Sequence, residues 1–166
     1  DDGVSGAHRF LRKLWTMVHA HLELGAVEPL DTVNHNDKHK DLRRKTHETI
    51  SKVNDDYGRR NTFNTAIAAV MELLNEVGKL SDSHPQSIAV RHEALTSAIL
   101  LLSPIAPHIC HSLWKALGNQ EAVADAAWPT LDESALVRSS IEMVVQVNGK
   151  VRGKIQVAAD APKDEV

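Results

Sequence analysis

Ile141-Glu-Met-Val-Val-Gln-Val-Asn-Gly-Lys-Val-Arg-Gly-Lys-Ile-Gln-Val157 alternates apolar and polar residues on either side of Asn148-Gly149. Period-two alternation marks a half-buried strand, and Asn-Gly is a strong short-range signal for a hairpin turn. The stretch predicts a β-hairpin over about 141–157, with Lys150, Arg152 and Lys154 at every second position of its second strand. A two-residue turn would pair Val147 with Lys150, Val145 with Arg152 and Met143 with Lys154, mixing apolar and basic residues on one face. A three-residue loop, Val147 to Gly149 with Gly149 left-handed in a bulge, pairs Gln146 with Lys150, Val144 with Arg152 and Glu142 with Lys154. It gathers Ile141, Met143, Val145, Val151, Gly153 and Ile155 on the other face. Register follows the hydrophobic pattern, so the three-residue loop is expected.

Everything upstream has a different period. Ala7, Leu11, Leu14, Trp15, Val18 and Leu22 recur at three- and four-residue steps, predicting a helix over about 5–24 that ends at Gly25. Leu42, Thr46, Thr49, Ile50, Val53 and Tyr57 predict a second over about 37–57, stopped by Gly58. Phe63, Ala66, Ile67, Val70, Met71, Leu74 and Val77 predict a third over about 62–80. A fourth is expected over about 86–102, where Ser103-Pro104 breaks it. A fifth runs over about 106–117, with Pro107 in its first turn and Gly118 at its end. Residues 119–140 read as mixed loop, with Trp128-Pro129 closing an edge. The fold class is therefore mainly α: an antiparallel bundle of about five helices followed by a β-hairpin. Trp15, Trp114 and Trp128 are expected as core or rim packing.

The 166 residues are 42% hydrophobic and 25% charged, an ordinary globular composition. One cysteine, Cys110, excludes an internal disulfide, which fits a reducing compartment. The longest apolar run, 98–110, is interrupted by Ser103, Pro104, Pro107 and His108 and does not suit a bilayer. Asp160-Ala-Pro-Lys-Asp-Glu-Val166 reads as the beginning of a further helix, so the chain is expected to be a piece of a longer protein.

No Gly-rich phosphate loop, His-Glu-x-x-His or Glu-x-x-His motif occurs, and no catalytic residue is assigned. The ten histidines fall in scattered pairs with one cysteine among them, so no metal site is assigned. Charge is the remaining signal. The net charge is −3, yet residues 38–60 hold eight Lys/Arg against four acids. Local sign decides where a polyanion docks. The candidates are Arg9, Arg12 and Lys13 on the first helix, Arg43, Arg44 and Lys45 on the second, Arg59 and Arg60 at its end, and Lys150, Arg152 and Lys154 on the hairpin. A solvated basic helix face is the competing reading. Aromatic residues make up 4% of the chain, which points away from base stacking and toward phosphate tracking.

Several segments together resemble the C-terminal part of bacterial leucyl-tRNA synthetases. They are Gly6-Ala-His-Arg-Phe-Leu-Arg-Lys-Leu-Trp15, Leu42-Arg-Arg-Lys-Thr-His47, Phe63-Asn-Thr-Ala-Ile-Ala-Ala69, Met71-Glu-Leu73, Leu102-Ser-Pro-Ile-Ala-Pro-His-Ile109, Leu113-Trp114, Trp128-Pro129 and Val145-Gln-Val-Asn-Gly-Lys-Val-Arg-Gly-Lys154. The Pro-x-x-Pro-His break and the Trp-Pro pair resemble class I synthetases generally; the hairpin resembles the leucine enzymes. His111 and Ser112 depart from that pattern, where acidic residues are common.

The resemblance implies a helical anticodon-binding domain over 1–135. It implies a truncated C-terminal tRNA-binding domain over 136–166. It implies a parent leucine–tRNA ligase that is cytoplasmic, monomeric and free of membrane contact, using ATP and magnesium, with leucine-specific tRNA as partner. The catalytic His-Ile-Gly-His-type and Lys-Met-Ser-Lys-Ser-type motifs do not occur in these residues, so no cofactor is expected here and the piece alone is expected to be non-catalytic. Leucine tRNAs carry several anticodons, so the domain is expected to hold backbone rather than read anticodon bases. The same domain of a valine- or isoleucine-type enzyme and a helical protein-interaction module are the alternatives.

Overall fold

A computed structural model of the chain describes the backbone of residues 2–138, 140–147 and 150–158 and the side chains of residues 5–138. The helices are α1 (Asp2–Leu22), α2 (Asp37–Asp55), α3 (Phe63–Lys79), α4 (Pro85–Leu102) and α5 (Pro107–Ala116). The expected helical start at 160–166 lies outside the described residues.

The bundle is organised around α4. Residues Gln86–Arg91, Ala94, Leu95 and Ser97–Leu102 are all buried, so this helix has no solvent stripe. A helix buried on every side loses the amphipathic period that marks its neighbours. It packs against α1, α2, α3 and α5. Leu73, Leu74, Leu95, Ile99, Leu101 and Leu113 are at most 1% exposed and form the centre of the core.

The burial of α1 differs from the expected stripe. Phe10, Leu14, Val18 and His21 are buried, whereas Trp15 is 42% exposed. The true stripe is rotated, because α1 packs on α4 and α5 along a line that substitutes Phe10 and His21 for Ala7 and Trp15. Trp114 is buried as expected, and Trp128 is 40% exposed.

Polar side chains set several helix limits. Asn36 caps α2: its side chain accepts from the His39 amide at 3.0 Å, and His39 Nδ1 accepts from the Asn36 amide at 3.3 Å. This is a capping box with imidazole in the usual place of a glutamate. Gly58 does not stop α2. The chain continues through a π turn, Asp56–Arg60, and stops at Asn61, whose φ of 51° is left-handed. Asparagine tolerates that region better than most residues. His84 caps α4 through Nδ1, with Pro85 in the first turn. Gly118, at φ 93°, follows α5.

After α5 the chain runs back across the bundle as an irregular strap, 119–138, with one 3-10 turn at Glu133–Leu136. Beyond it lie β1 (Ser140–Val147) and β2 (Lys150–Ala158), paired antiparallel. The register corrects the expected one. Val147 pairs with Lys150 and Gln146 with Val151; the ladder then skips Arg152, so that Val145 meets Gly153, Val144 meets Lys154 and Met143 meets Ile155. Glu142 is opposite Gln156, not Lys154. The physical reason is that the extra residue sits inside the ladder rather than at its end. A bulge two pairs from the turn restores apolar-to-apolar pairing, as a longer loop would have done. Asn148 and Gly149 lie outside the described residues, as do the side chains of both strands.

Burial of His21 makes stability depend on pH. Its pKa is pushed down from 6.5 to about 4, first by burial and then by His92 and Arg91. Above about pH 6.5 both folded and unfolded states leave it neutral. Between 6.5 and 4 the unfolded chain takes up a proton that the folded chain refuses, so stability falls with pH. The thermal midpoint is expected to drop by several degrees from pH 7 to pH 5, and His21→Gln is expected to lessen that dependence, with His39 and His92, also lowered by burial, supplying the rest. An equally steep slope in the variant would show that the loss arises elsewhere.

Candidate nucleic-acid interface

The basic residues picked out by sequence do not form one surface. Leu42-Arg-Arg-Lys-Thr-His47 splits at once into inward and outward members. His39, Arg43 and His47 are spaced four apart, share one face of α2 and are all buried. That face meets α4 and the strap.

Arg43 donates from Nε to Glu93 Oε2 at 2.8 Å and from a terminal nitrogen to Glu93 Oε1 at 3.2 Å. The same nitrogen reaches Asp132 Oδ2 at 2.9 Å. His47 completes the cluster. Its Nδ1 accepts the Asp132 amide at 3.0 Å, which leaves the proton on Nε2 for Glu93 Oε1 at 2.8 Å. One guanidinium, one imidazole and two carboxylates thus clasp α2, α4 and the strap together.

Opposing effects act on Glu93. Burial pulls its carboxyl up, but the hydrogen bonds from His47 and Arg43 outweigh this and hold it below the usual range. Hydrogen bonds from Ser134 and then Arg43 bring Asp132 down to about 2. The hydrogen bonds that Arg43 donates to Glu93 raise its pKa against the effect of its burial. Arg43 therefore belongs to an internal ion cluster and is withdrawn from the residues that could hold a phosphate.

Four other candidates also have acidic partners. Arg44 pairs with Asp41 at 2.8 Å and Lys45 with Glu72 at 2.8 Å. Arg59 and Arg60 share Asp55 at 2.6 and 3.0 Å. Lys52, within the same basic stretch, reaches the buried Asp56 at 3.2 Å. The exposed pairs contribute little to stability, and all of them reduce the local positive field. Lys13 donates to Asn75 Oδ1 at 2.6 Å. Among the described residues, Arg9, Arg12, Lys38 and Lys40 have no carboxylate partner. Lys38 and Lys40 did not stand out within the run; pairing with acids, near in sequence for Arg44 and distant for Arg43 and Lys45, is what separates them from their neighbours. Lys150, Arg152 and Lys154 have backbones in or beside the β2 ladder, and their side chains lie outside the described residues.

Among the clefts that present cations, two hold candidate residues and no carboxylate. Arg9 and Lys13 border a groove of about 280 Å³ between α1 and α3, with Phe10, Met71 and Asn75. Lys40 borders a pocket of about 300 Å³ with Thr32, His35, Arg43 and Ser134, and no carboxylate lines it. Among the described residues, no group of three or more His, Cys, Asp or Glu is placed to hold a metal ion, and no helix is long and apolar enough to cross a membrane.

The family model of the anticodon-binding domain of tRNA ligase matches residues 39–166. The chain belongs to this anticodon-binding domain family. Its clasp and central α4 lie within the matched residues. Curated relatives named leucine–tRNA ligase include that of Marinobacter nauticus, 65% identical over the whole chain, and that of Cellvibrio japonicus, 64% identical over 99% of it. The chain spans 19% of the length of each of these relatives. A solved LeuRS from Agrobacterium radiobacter K84, described as a ternary LeuRS-tRNA-LeuAMS complex, is 26% identical with a TM-score of 0.79. That similarity covers 99% of this chain and 22% of the other.

The clasp has a measurable signature. Glu93→Ala leaves Arg43 and His47 without their shared carboxylate in a buried setting. It is expected to cost roughly 3–5 kcal/mol in urea unfolding, the usual penalty for breaking a buried pair from one side. Asp132→Asn keeps shape and some hydrogen bonding on the more exposed side and is expected to cost about 1 kcal/mol. Equal costs would show that the two carboxylates are not differently placed.

Proposed function

We propose that the chain is the tRNA-binding portion of a leucine–tRNA ligase. On this reading, residues 1–135 form the helical anticodon-binding domain and hold the backbone of the anticodon stem. Residues 136–166 open a second tRNA-binding domain, with the hairpin and Lys150, Arg152 and Lys154 directed to the tRNA corner. Leucylation with ATP and magnesium belongs to the longer protein, which we place in the cytoplasm as a monomer.

The observation that carries the reading is the division of the basic residues. Arg9, Arg12, Lys38 and Lys40 lack carboxylate partners among the described residues, on a chain whose net charge is −3. Unpaired cations on an otherwise balanced surface suit a polyanion met through its phosphates. Identity of 65% to a leucine–tRNA ligase favours the leucine enzymes over the valine and isoleucine types. Arg44, Lys45, Arg59 and Arg60 remain secondary contacts, available when a phosphate displaces their carboxylates.

The test is tRNA binding by the 166-residue chain across a salt series. Log affinity is expected to fall linearly with log salt, and Arg9→Ala with Arg12→Ala is expected to reduce the slope by about 2, about 1 for each lost phosphate contact. Leucine tRNAs with different anticodons are expected to lose affinity equally. A strong anticodon dependence would overturn backbone recognition, and salt-insensitive indifference to tRNA would favour a protein-interaction module.

A further inference from the structure

The chain has three Trp, one Tyr and two Phe, and the fold brings half of these six to one corner. The Tyr57 ring centroid lies 5.5 Å from that of Phe63 and 6.1 Å from that of Trp128. Tyr57 is the anchored member: its hydroxyl donates to the Leu101 carbonyl at 2.8 Å. Phe63 and Trp128 are 51% and 40% exposed, unusual for large rings already gathered together. Trp128 is held from one edge, where its indole N–H donates to Asn54 Oδ1 at 2.6 Å.

The surroundings are polar and cationic. Arg59 and Arg60 both reach Asp55, so two guanidiniums share one carboxylate and one positive charge is left over. Their side chains are 84% and 66% exposed. Lys52 and Asp56 balance one another beside them. The segment that presents Arg59, Arg60 and Phe63 is the π turn followed by left-handed Asn61, and π turns recur at functional sites. An apolar protein partner would be met by a wider aliphatic rim, but Asn54, Arg59, Arg60, Asn61 and Asn64 lie on or beside this corner.

We propose that the Phe63–Trp128 corner is a stacking platform for an unpaired nucleotide of RNA, with Arg59 and Arg60 taking its adjacent phosphates. The proposal rests on the tRNA-binding reading and deepens it by naming a single-stranded contact. Every base has a π face, so stacking holds a nucleotide without reading its identity. It is thus compatible with anticodon-independent binding. Composition alone argued against stacking; the tertiary structure concentrates the few aromatic residues where they suffice for one base.

The test uses the 166-residue chain with three RNAs: a leucine tRNA, a single-stranded oligonucleotide carrying 2-aminopurine, and a blunt duplex. Binding of the single strand is expected to quench the aminopurine. Phe63→Ala is expected to abolish the quench and weaken single-strand binding about ten-fold, the lower range for one stacked base. Duplex affinity is expected to stay unchanged, and Phe63→Tyr to keep the wild-type values. Trp128→Leu provides a second, independent loss on the other exposed ring. Persistence of quench and affinity in both variants would overturn the platform while leaving phosphate-based tRNA binding intact. Parallel losses for duplex and single strand would mark Phe63 as a support of the fold and also overturn it. Failure of the unaltered chain to bind any of the three would defeat the functional reading and the platform together.

Discussion

The cluster of Arg43, Glu93, His47 and Asp132 is the constraint on which the placement of the C-terminal third depends. Without it, α2 and α4 would still share an apolar seam, but the strap would have few fixed points. Asp132 contributes both its carboxylate and its backbone amide, so side-chain and main-chain hydrogen bonds locate the same residue. Trp128 on Asn54 and Arg138 near Glu48 flank this clasp along α2. The chain enters β1 two residues after Arg138. An error in the clasp would therefore be carried into whatever β1 and β2 build.

The clasp also changes how the basic sequence acts. Charges in a run look alike in sequence, but a helix turns them in different directions. One arginine goes inward to serve as a hydrogen-bonding hub with two carboxylate partners. Its neighbour Arg44 goes outward and meets Asp41 and Glu48 on the same helix. Lys45 crosses to Glu72 on α3. What remains without a carboxylate partner among the described residues is a smaller, dispersed set of cations.

The interior of the bundle follows a similar division between apolar and polar contacts. Around α4 the core is aliphatic, while polar residues at its ends are spent on loops and caps. Gln86 accepts the Asp31 amide and donates to the Pro29 carbonyl, fixing the loop between α1 and α2. Arg91 donates to the Leu80 carbonyl at the end of α3. Buried polar groups with such partners avoid most of the desolvation cost of burial and make the loop paths specific.

Five helices and their approximate limits were legible in the sequence, because apolar spacing, Pro107, Gly118 and the Ser103-Pro104 break act locally. Local chemistry could not place the end of α2, since Asn61 stops it only after a π turn secured by Asp56 and Thr62. The face of α1 was misjudged because period narrows the choice of stripe, while α4 and α5 decide which side is covered. The ladder register escaped for a related reason: the apolar pattern demanded one extra residue, and pattern alone does not say whether that residue sits in the turn or at Arg152. Of the candidate site, the sequence by itself determined which residues carry charge. Only the tertiary structure decided that Arg43 is internal, that Lys38 and Lys40 lack carboxylate partners among the described residues, and that Tyr57, Phe63 and Trp128 meet. The first and last of those outcomes depend on partners 50 and 89 positions away for Arg43 and up to 74 positions away for Trp128. Chain folding brings such partners together, and no local pattern encodes that meeting.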